Sequence, residues 1–157
     1  MTLHIEAKWS KPVSLTLSNE VREIYTCADF ESVPTNPGVY IFARRHGRAV
    51  TPLYVGQSGN LRKRLCQHLK SVPLMKSIHA APTGSRIFIF CEPILRNGQQ
   101  LPRVLDTLED ALIDHALAEG YALFNVQGTK RPAHTIDFSG NRTSEALAPR
   151  TMLLKAF

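Results

Sequence analysis

A chain of 157 residues, 43% of them hydrophobic and carrying a formal net charge of +6, is long enough to bury one ordinary core and short for two independent domains. Its longest apolar runs, such as residues 87–91, fall far below the roughly 20 residues that a membrane-spanning helix needs, so no membrane partner is expected. The opening Met-Thr-Leu-His-Ile-Glu-Ala-Lys has neither a charged leader nor an apolar stretch; it does not read as a signal peptide, and a cytoplasmic location is expected.

Residues 1–33 mix strand-like pieces (Leu3 to Lys8, Val13 to Leu17) with an apolar-charged stretch around Val21 to Tyr25. They are expected to form an N-terminal extension packed on the core, with no firm assignment of its elements. Pro34 and Asn36-Pro37-Gly38 then punctuate the chain, and Val39-Tyr40-Ile41-Phe42 reads as a strand. Arg44 to Thr51, with Gly47 inside it, reads as an exposed turn, and Leu53-Tyr54-Val55 as the returning strand of a hairpin ending at Gly56. Asn60 is a favoured N-cap, and Leu61, Leu65, Leu69 and Val72 follow at helical spacing, which predicts a helix from Asn60 to Ser71 ended by Pro73. Arg86 to Cys91 is apolar on both faces, as a central strand covered on each side would be. Gly98 lies in the next loop. A second helix is predicted from Thr107, acting as its cap, to Glu119, with Gly120 ending it. Beyond it, Gly128, Pro132, Gly140 and Pro149 interrupt a polar, basic tail of little periodicity. The order gives an α+β architecture, a small and mainly antiparallel three-stranded sheet flanked by helices, with its core over residues 34–127 and a basic C-terminal segment over 128–157.

The positive charge is local. From Ser32 to Cys91 there are nine Lys or Arg residues (Arg44, Arg45, Arg48, Arg62, Lys63, Arg64, Lys70, Lys76, Arg86) and no Asp or Glu. Such a block is a footprint for a polyanion, although on charge alone a solvated face explains it equally well. Cys27, Cys66 and Cys91 are odd in number and far apart, which fits neither a disulfide framework nor paired zinc ligands; they read as free thiols, mostly buried.

Several residues carry possible chemistry. On the first predicted helix Arg64 and His68 stand four apart at the edge of the apolar stripe, so they face one way and can converge on one ligand. A guanidinium fork suits a phosphate, and the imidazole beside it can donate or accept a hydrogen bond; a surface Arg beside a core His is the plainer alternative. On the second, Glu109 is bracketed in projection by Leu112, Ala116, Ile113 and Leu117, where a carboxylate is costly unless it meets positive charge. A dipole-stabilising role near a helix start would also explain it. Tyr40 and Tyr54 could project from one face of the hairpin, or simply pack there. Gly56 would let a backbone or a phosphate come close.

Taken together, Gly38-Val39-Tyr40, then Tyr54-Val55-Gly56, then Gln57-Ser58-Gly59-Asn60-Leu61-Arg62-Lys63-Arg64-Leu65 with His68 behind it, resemble the GIY-YIG nuclease superfamily. Leu108-Glu109-Asp110-Ala111-Leu112-Ile113 and Leu123-Phe124-Asn125 look like the Glu helix and the Asn segment of the same family. The span from Tyr40 to Tyr54 and that from Glu109 to Asn125 are both longer than is usual there, which makes Asn125 the weakest of the correspondences. The resemblance implies a GIY-YIG fold and an endonuclease that hydrolyses phosphodiesters of DNA, most simply double-stranded, with one divalent metal, Mg²⁺ or Mn²⁺. It implies Tyr40, Tyr54, Arg64, His68, Glu109 and Asn125 as the catalytic set and Glu109 as the metal ligand. Tyr40 would orient or deprotonate the attacking water, Arg64 would hold the phosphate, Tyr54 and His68 would position phosphate and water, and Asn125 would fix the surroundings. Nucleic-acid contacts are expected from Arg44, Arg45, Arg48, Gly56, Gln57, Ser58, Arg62, Lys63, Lys70, Lys130 and Arg131. A restriction-type, mobile-element or toxin enzyme would fit, and a homodimer is compatible with the sequence. The rival reading is a nucleic-acid-binding module of the same fold that has lost cleavage.

Overall fold

Gly38 opens a long hairpin, strands β4 (Gly38–His46) and β5 (Ala49–Ser58), around which the rest of the sheet is laid. The structure is a computed structural model that describes residues 3–19, 23–124 and 133–155. The segment read as an exposed turn is mostly strand. Gly47, at φ 61°, and Arg48 close the hairpin in a two-residue turn, so the ladder runs on to the pair His46 and Ala49, as such turns allow. Arg44 and Arg45 are therefore strand residues. Phe42 pairs with Tyr54 but Ala43 with Pro52, which leaves Leu53 as the extra residue of a bulge. The bulge lets Leu53 and Tyr54 both turn toward one side, and Leu53 joins the same buried cluster as Tyr40 and Phe42.

Strand β6 (Ser85–Ile94) lies on the other side of β4. Beyond it, β1 (Glu6–Trp9) and β2 (Val13–Leu17) pair successive halves of β6, and β3 (Tyr25–Thr26) flanks β2. All pairings are antiparallel, and the order is β3-β2-β6-β4-β5 with β1 beside β6. The expectation of three strands describes β4, β5 and β6 and misses the N-terminal three. Val13 and Leu15 are buried while Ser14 and Thr16 are exposed, so β2 does carry an alternating pattern, but over too few residues to stand out. Residues 20–22 of the stretch around Val21 lie outside the described residues.

Helix α1 (Leu61–Leu69) starts where predicted, with the Asn60 side chain accepting from the Lys63 N–H. Pro73 does not end it in empty loop. It sits in the first turn of a further helix, α2 (Val72–Ala80), where its missing N–H would have been unpaired in any case. Helix α3 (Leu101–Ala118) begins six residues earlier than expected, behind Gln100 and with Pro102 in its first turn. Thr107 is an interior residue whose hydroxyl donates back to the Arg103 carbonyl at 2.8 Å. Gly120 ends the helix as predicted, at φ 84°, with Tyr121 N–H reaching back to the Ala116 carbonyl at 2.9 Å.

The helices lie on both faces of the sheet. Leu61 and Leu65 of α1 and Met75 and Ile78 of α2 share one core with Tyr40, Phe42, Phe88 and Phe90. On the other face Leu112 and Ala116 of α3 stand opposite Ile41, Ala43, Val55 and Ile89 across a cavity of about 280 Å³. No helix among the described residues is long and apolar enough to cross a membrane.

Residues 125–157 form a second unit. Its strands β7 (Ala133–Asp137) and β8 (Thr151–Lys155) pair antiparallel. Between them α4 (Arg142–Leu147) is held by reciprocal bonds of Asn141 and Ser144, a capping box in which each side chain satisfies the other's backbone. The tail expected to be irregular thus has regular elements, too short for their periods to register.

Candidate active site

Tyr40 is the centre of the arrangement. Its side chain is 2% exposed, stacked on Phe88 at 5.3 Å and on Tyr54 at 6.4 Å between ring centroids, and edge-on to Phe42. The shared face expected for Tyr40 and Tyr54 follows from the regular register, in which Tyr40 pairs with Gly56 and Phe42 with Tyr54. The Tyr40 hydroxyl lies 2.6 Å from Nε2 of His68, whose ring contacts Tyr40, Phe42 and Tyr54 at 5.4 to 5.5 Å. Room for the Tyr40 ring comes from Gly56, its cross-strand partner. A Cβ there would stand 2.5 Å from the Tyr40 hydroxyl, so the space expected to admit a phosphate is already filled by a phenol.

Burial sets the protonation of this pair. It raises the Tyr40 pKa above that of an ordinary phenol, with Tyr54 and Glu109 adding and Arg64 only partly opposing. Tyr54 is raised by burial as well, against Arg64 and with Glu109. Burial and then Arg64 lower His68 to about 4. At neutral pH a neutral phenol therefore faces a neutral imidazole, because Arg64 favours the phenolate too weakly to offset burial.

Arg64 itself is exposed on α1, and its charge acts on Tyr40, Tyr54 and His68 alike. Glu109 is half-buried on α3, and its charge acts on both tyrosines. Glu109 stands on α3, which the bond between Gln57 and Asp106 ties to β5, the last strand of the order. Tyr40, Tyr54 and His68 are thus in contact, and the charges of Arg64 and Glu109 act on both tyrosines. Asn125 lies outside the described residues, as do Lys130 and Arg131.

The expected nucleic-acid contacts divide into two groups. Arg62 donates to the carbonyls of Val33 and Glu31 at 2.7 and 2.9 Å, and Arg44 to that of Thr83 at 2.7 Å. Ser58 is buried and exchanges hydrogen bonds with Asn60, donating to its carbonyl and accepting from its N–H. Gln57 donates to the Asp106 carboxylate at 2.6 Å. These side chains hold the fold. Arg45, Arg48, Lys63 and Lys70 are exposed and free to face a polyanion. Sequence reasoning missed Phe42 and Phe88, the walls of the Tyr40 pocket; their aromatic, period-two positions beside Tyr40 and Phe90 were the available signal.

Among the described residues no group of three or more His, Cys, Asp and Glu could together hold a metal ion. Glu109, the carboxylate whose charge acts on the tyrosines, is an oxygen donor that suits a hard cation keeping most of its water. The three cysteines are free, Cys91 buried and the others half-buried.

Short stretches of the chain match known sequences. Over 43 residues the chain is 49% identical to UvrABC system protein C of Deinococcus radiodurans, covering 27% of this chain and 6% of that protein. Over 40 residues it is 50% identical to excinuclease cho of Escherichia coli strain K12, covering 25% and 12%. A quarter of this chain is similar to an excinuclease. UvrABC system protein C of Aquifex aeolicus is 44% identical over 41 residues. These matches span 6 to 12% of the relatives' own length. No family model and no solved structure matches the chain.

Proposed function

We propose that the protein is a metal-dependent endonuclease of the GIY-YIG type that hydrolyses phosphodiester bonds of double-stranded DNA. The observation that carries this reading is the contact of Tyr40, Tyr54 and His68 within reach of the charges of Arg64 and Glu109, from separate elements. The local similarity to an excinuclease supports it.

Arg64 grips the non-bridging oxygens of the scissile phosphate, an interaction that strengthens as charge builds there. Glu109 is the side chain that would hold Mg²⁺ or Mn²⁺. When bound, such an ion supplies positive charge to the phosphate and to the leaving oxygen. Tyr40, held as a phenol by burial, accepts the water's proton only by giving up its own. His68 Nε2, 2.6 Å away, is in place to take it. The water's proton thus passes to the Tyr40 oxygen as the phenol proton passes to the imidazole, and the hydroxide formed attacks phosphorus as the bond from phosphorus to the leaving oxygen breaks. Tyr54, stacked on Tyr40, positions the phosphate.

The test is relaxation and linearisation of supercoiled plasmid in Mg²⁺, with and without EDTA, by the wild type and Glu109→Gln. Cleavage should vanish with EDTA and in the variant, while DNA affinity, read by fluorescence anisotropy, stays within a few-fold. Tight binding with no cleavage by the wild type would return the binding-module reading. Undiminished cleavage by Glu109→Gln would remove Glu109 from the metal site.

A further inference from the structure

Gln57 and Asp106 belong to no group that the proposed reaction needs, yet they make a 2.6 Å side-chain bond across 49 residues. Gln57 follows Gly56 directly and pairs with Val39, so it turns to the face opposite Tyr40, the face α3 covers. Asp106 lies on α3 three residues before Glu109, which puts the two carboxylates one above the other on the same helix face. The bond therefore ties the helix turn just ahead of Glu109 to the strand position just beyond the glycine that seats Tyr40. Apolar packing of α3, through Val104, Leu105, Ile113 and Ala116, fixes the helix on the sheet but is non-directional. A hydrogen bond adds a directional restraint on the turn that carries Glu109.

We infer that Gln57 and Asp106 form a positioning clasp that sets where Glu109 stands relative to Tyr40 and Tyr54. Neither residue touches substrate in this role; both act through Glu109. The inference rests on the proposed placement of Glu109 in the site, and it extends that placement by naming what holds it. Glu109 raises the titration of Tyr54, after the larger effects of burial and of Arg64, and Asp106→Asn separates any direct effect of the Asp106 charge from the loss of its bond. Tyr54 can therefore report on Glu109 whether or not the protein cuts DNA.

The experiment follows Tyr54 by NMR titration of protein labelled at the tyrosine ring carbons, in the wild type, Glu109→Gln, Asp106→Ala, Gln57→Ala, the Asp106→Ala/Gln57→Ala pair, and Asp106→Asn. Asparagine keeps an oxygen that accepts from Gln57 but removes the charge. Asp106→Ala and Gln57→Ala should each move the Tyr54 titration down toward that of Glu109→Gln. The double variant should go no further than either single one, and Asp106→Asn should return it to the wild-type value. Single-turnover cleavage should follow the same order, falling by up to about 10²-fold in the alanine variants, as for misplacement of a catalytic group by about 1 Å, and recovering in Asp106→Asn. An unmoved Tyr54 in Asp106→Ala, or Asp106→Asn behaving like Asp106→Ala, would overturn the clasp, the latter by showing that the charge of Asp106 matters rather than its bond. A protein that never cleaves would sink the nuclease reading while leaving the titration to decide the clasp.

Discussion

Gly56 and Tyr40 occupy one volume between them. A methyl group at position 56 would lie 2.5 Å from the Tyr40 oxygen and 2.6 Å from its ring carbon, and the ring cannot retreat because Phe88 and Tyr54 stack on it. Gly56→Ala should therefore displace the phenol from His68. It should cost about 10²-fold or more in single-turnover cleavage and about 1–3 kcal/mol of stability for overpacking, with rates and urea melts as the measurements. Tyr40→Phe should lose a factor of about 10² to 10⁴ with little change in packing. Equal rates for Gly56→Ala and wild type would show that the ring has somewhere else to go. His68 yields a second prediction at this scale. Its folded pKa, about 4, is below its value of 6.5 outside the fold, so the unfolded chain binds the extra proton between the two. The stability it contributes is complete above pH 6.5, declines as the pH falls, and is gone below about 4. Urea midpoints across pH 4 to 7 should show this decline in the wild type, and His68→Gln should flatten that part of the profile.

Helix α2 is held at its end by an arginine rather than by a conventional cap. Arg86 is 6% exposed and donates to the carbonyls of Ile78, Ala81 and Gly84 at 2.7 to 2.8 Å, the last carbonyls of the helix and of the loop behind it. Arg86→Met keeps the apolar stem and strands those acceptors. A loss of about 3 kcal/mol or more is expected at roughly 1 kcal/mol or more for each abandoned group, with DNA affinity unchanged, as read by denaturant melts and anisotropy together. This helix also shows what a sequence can reveal at the scale of elements. α1 was legible because Asn60, Leu61 and Leu65 state both its start and its buried face within one turn and a half. α2 was not, because Pro73 carries opposite meanings at a helix end and in a first turn, and only the chain that follows decides between them. The N-terminal strands β1 and β2 were read only as strand-like pieces, with no place in the sheet, for another reason. Each is short, and the face it buries is defined by β6, far along the chain, rather than by its own neighbours. Tyr40, Tyr54, Arg64, His68 and Glu109 could be singled out because their motifs together resemble a known family, although each alone admits a plainer reading. What could not be read was that Gly56 serves Tyr40, or that Arg44, Arg62 and Arg86 are spent on backbone carbonyls, because those bonds exist only once distant segments meet.

For the molecule entire, this division reduces the acid-free basic window to the part that can meet DNA. Arg45 and Arg48, at the far end of the β4–β5 hairpin, are exposed. Replacing both with Ala should weaken binding and lower the slope of log affinity against log salt by about 0.9 for each phosphate that the pair neutralises, whereas Arg62→Ala should act through stability and leave the slope as it is. Equal slopes for the wild type and the Arg45→Ala/Arg48→Ala variant would show that the hairpin end does not touch the duplex.

Pro52 and the Leu53 bulge have a meaning for how copies of this chain can assemble. A free sheet margin is a template on which another strand can grow, and β5 is such a margin with the site built against it. Proline there offers no N–H, the bulge turns the ladder away, and the Leu53 carbonyl already accepts from Phe124 at 2.8 Å. Strand-on-strand accretion is therefore blocked along the one border where it would bury Tyr54 and Glu109, so a crowd of these molecules can associate by other surfaces without closing its own active centres.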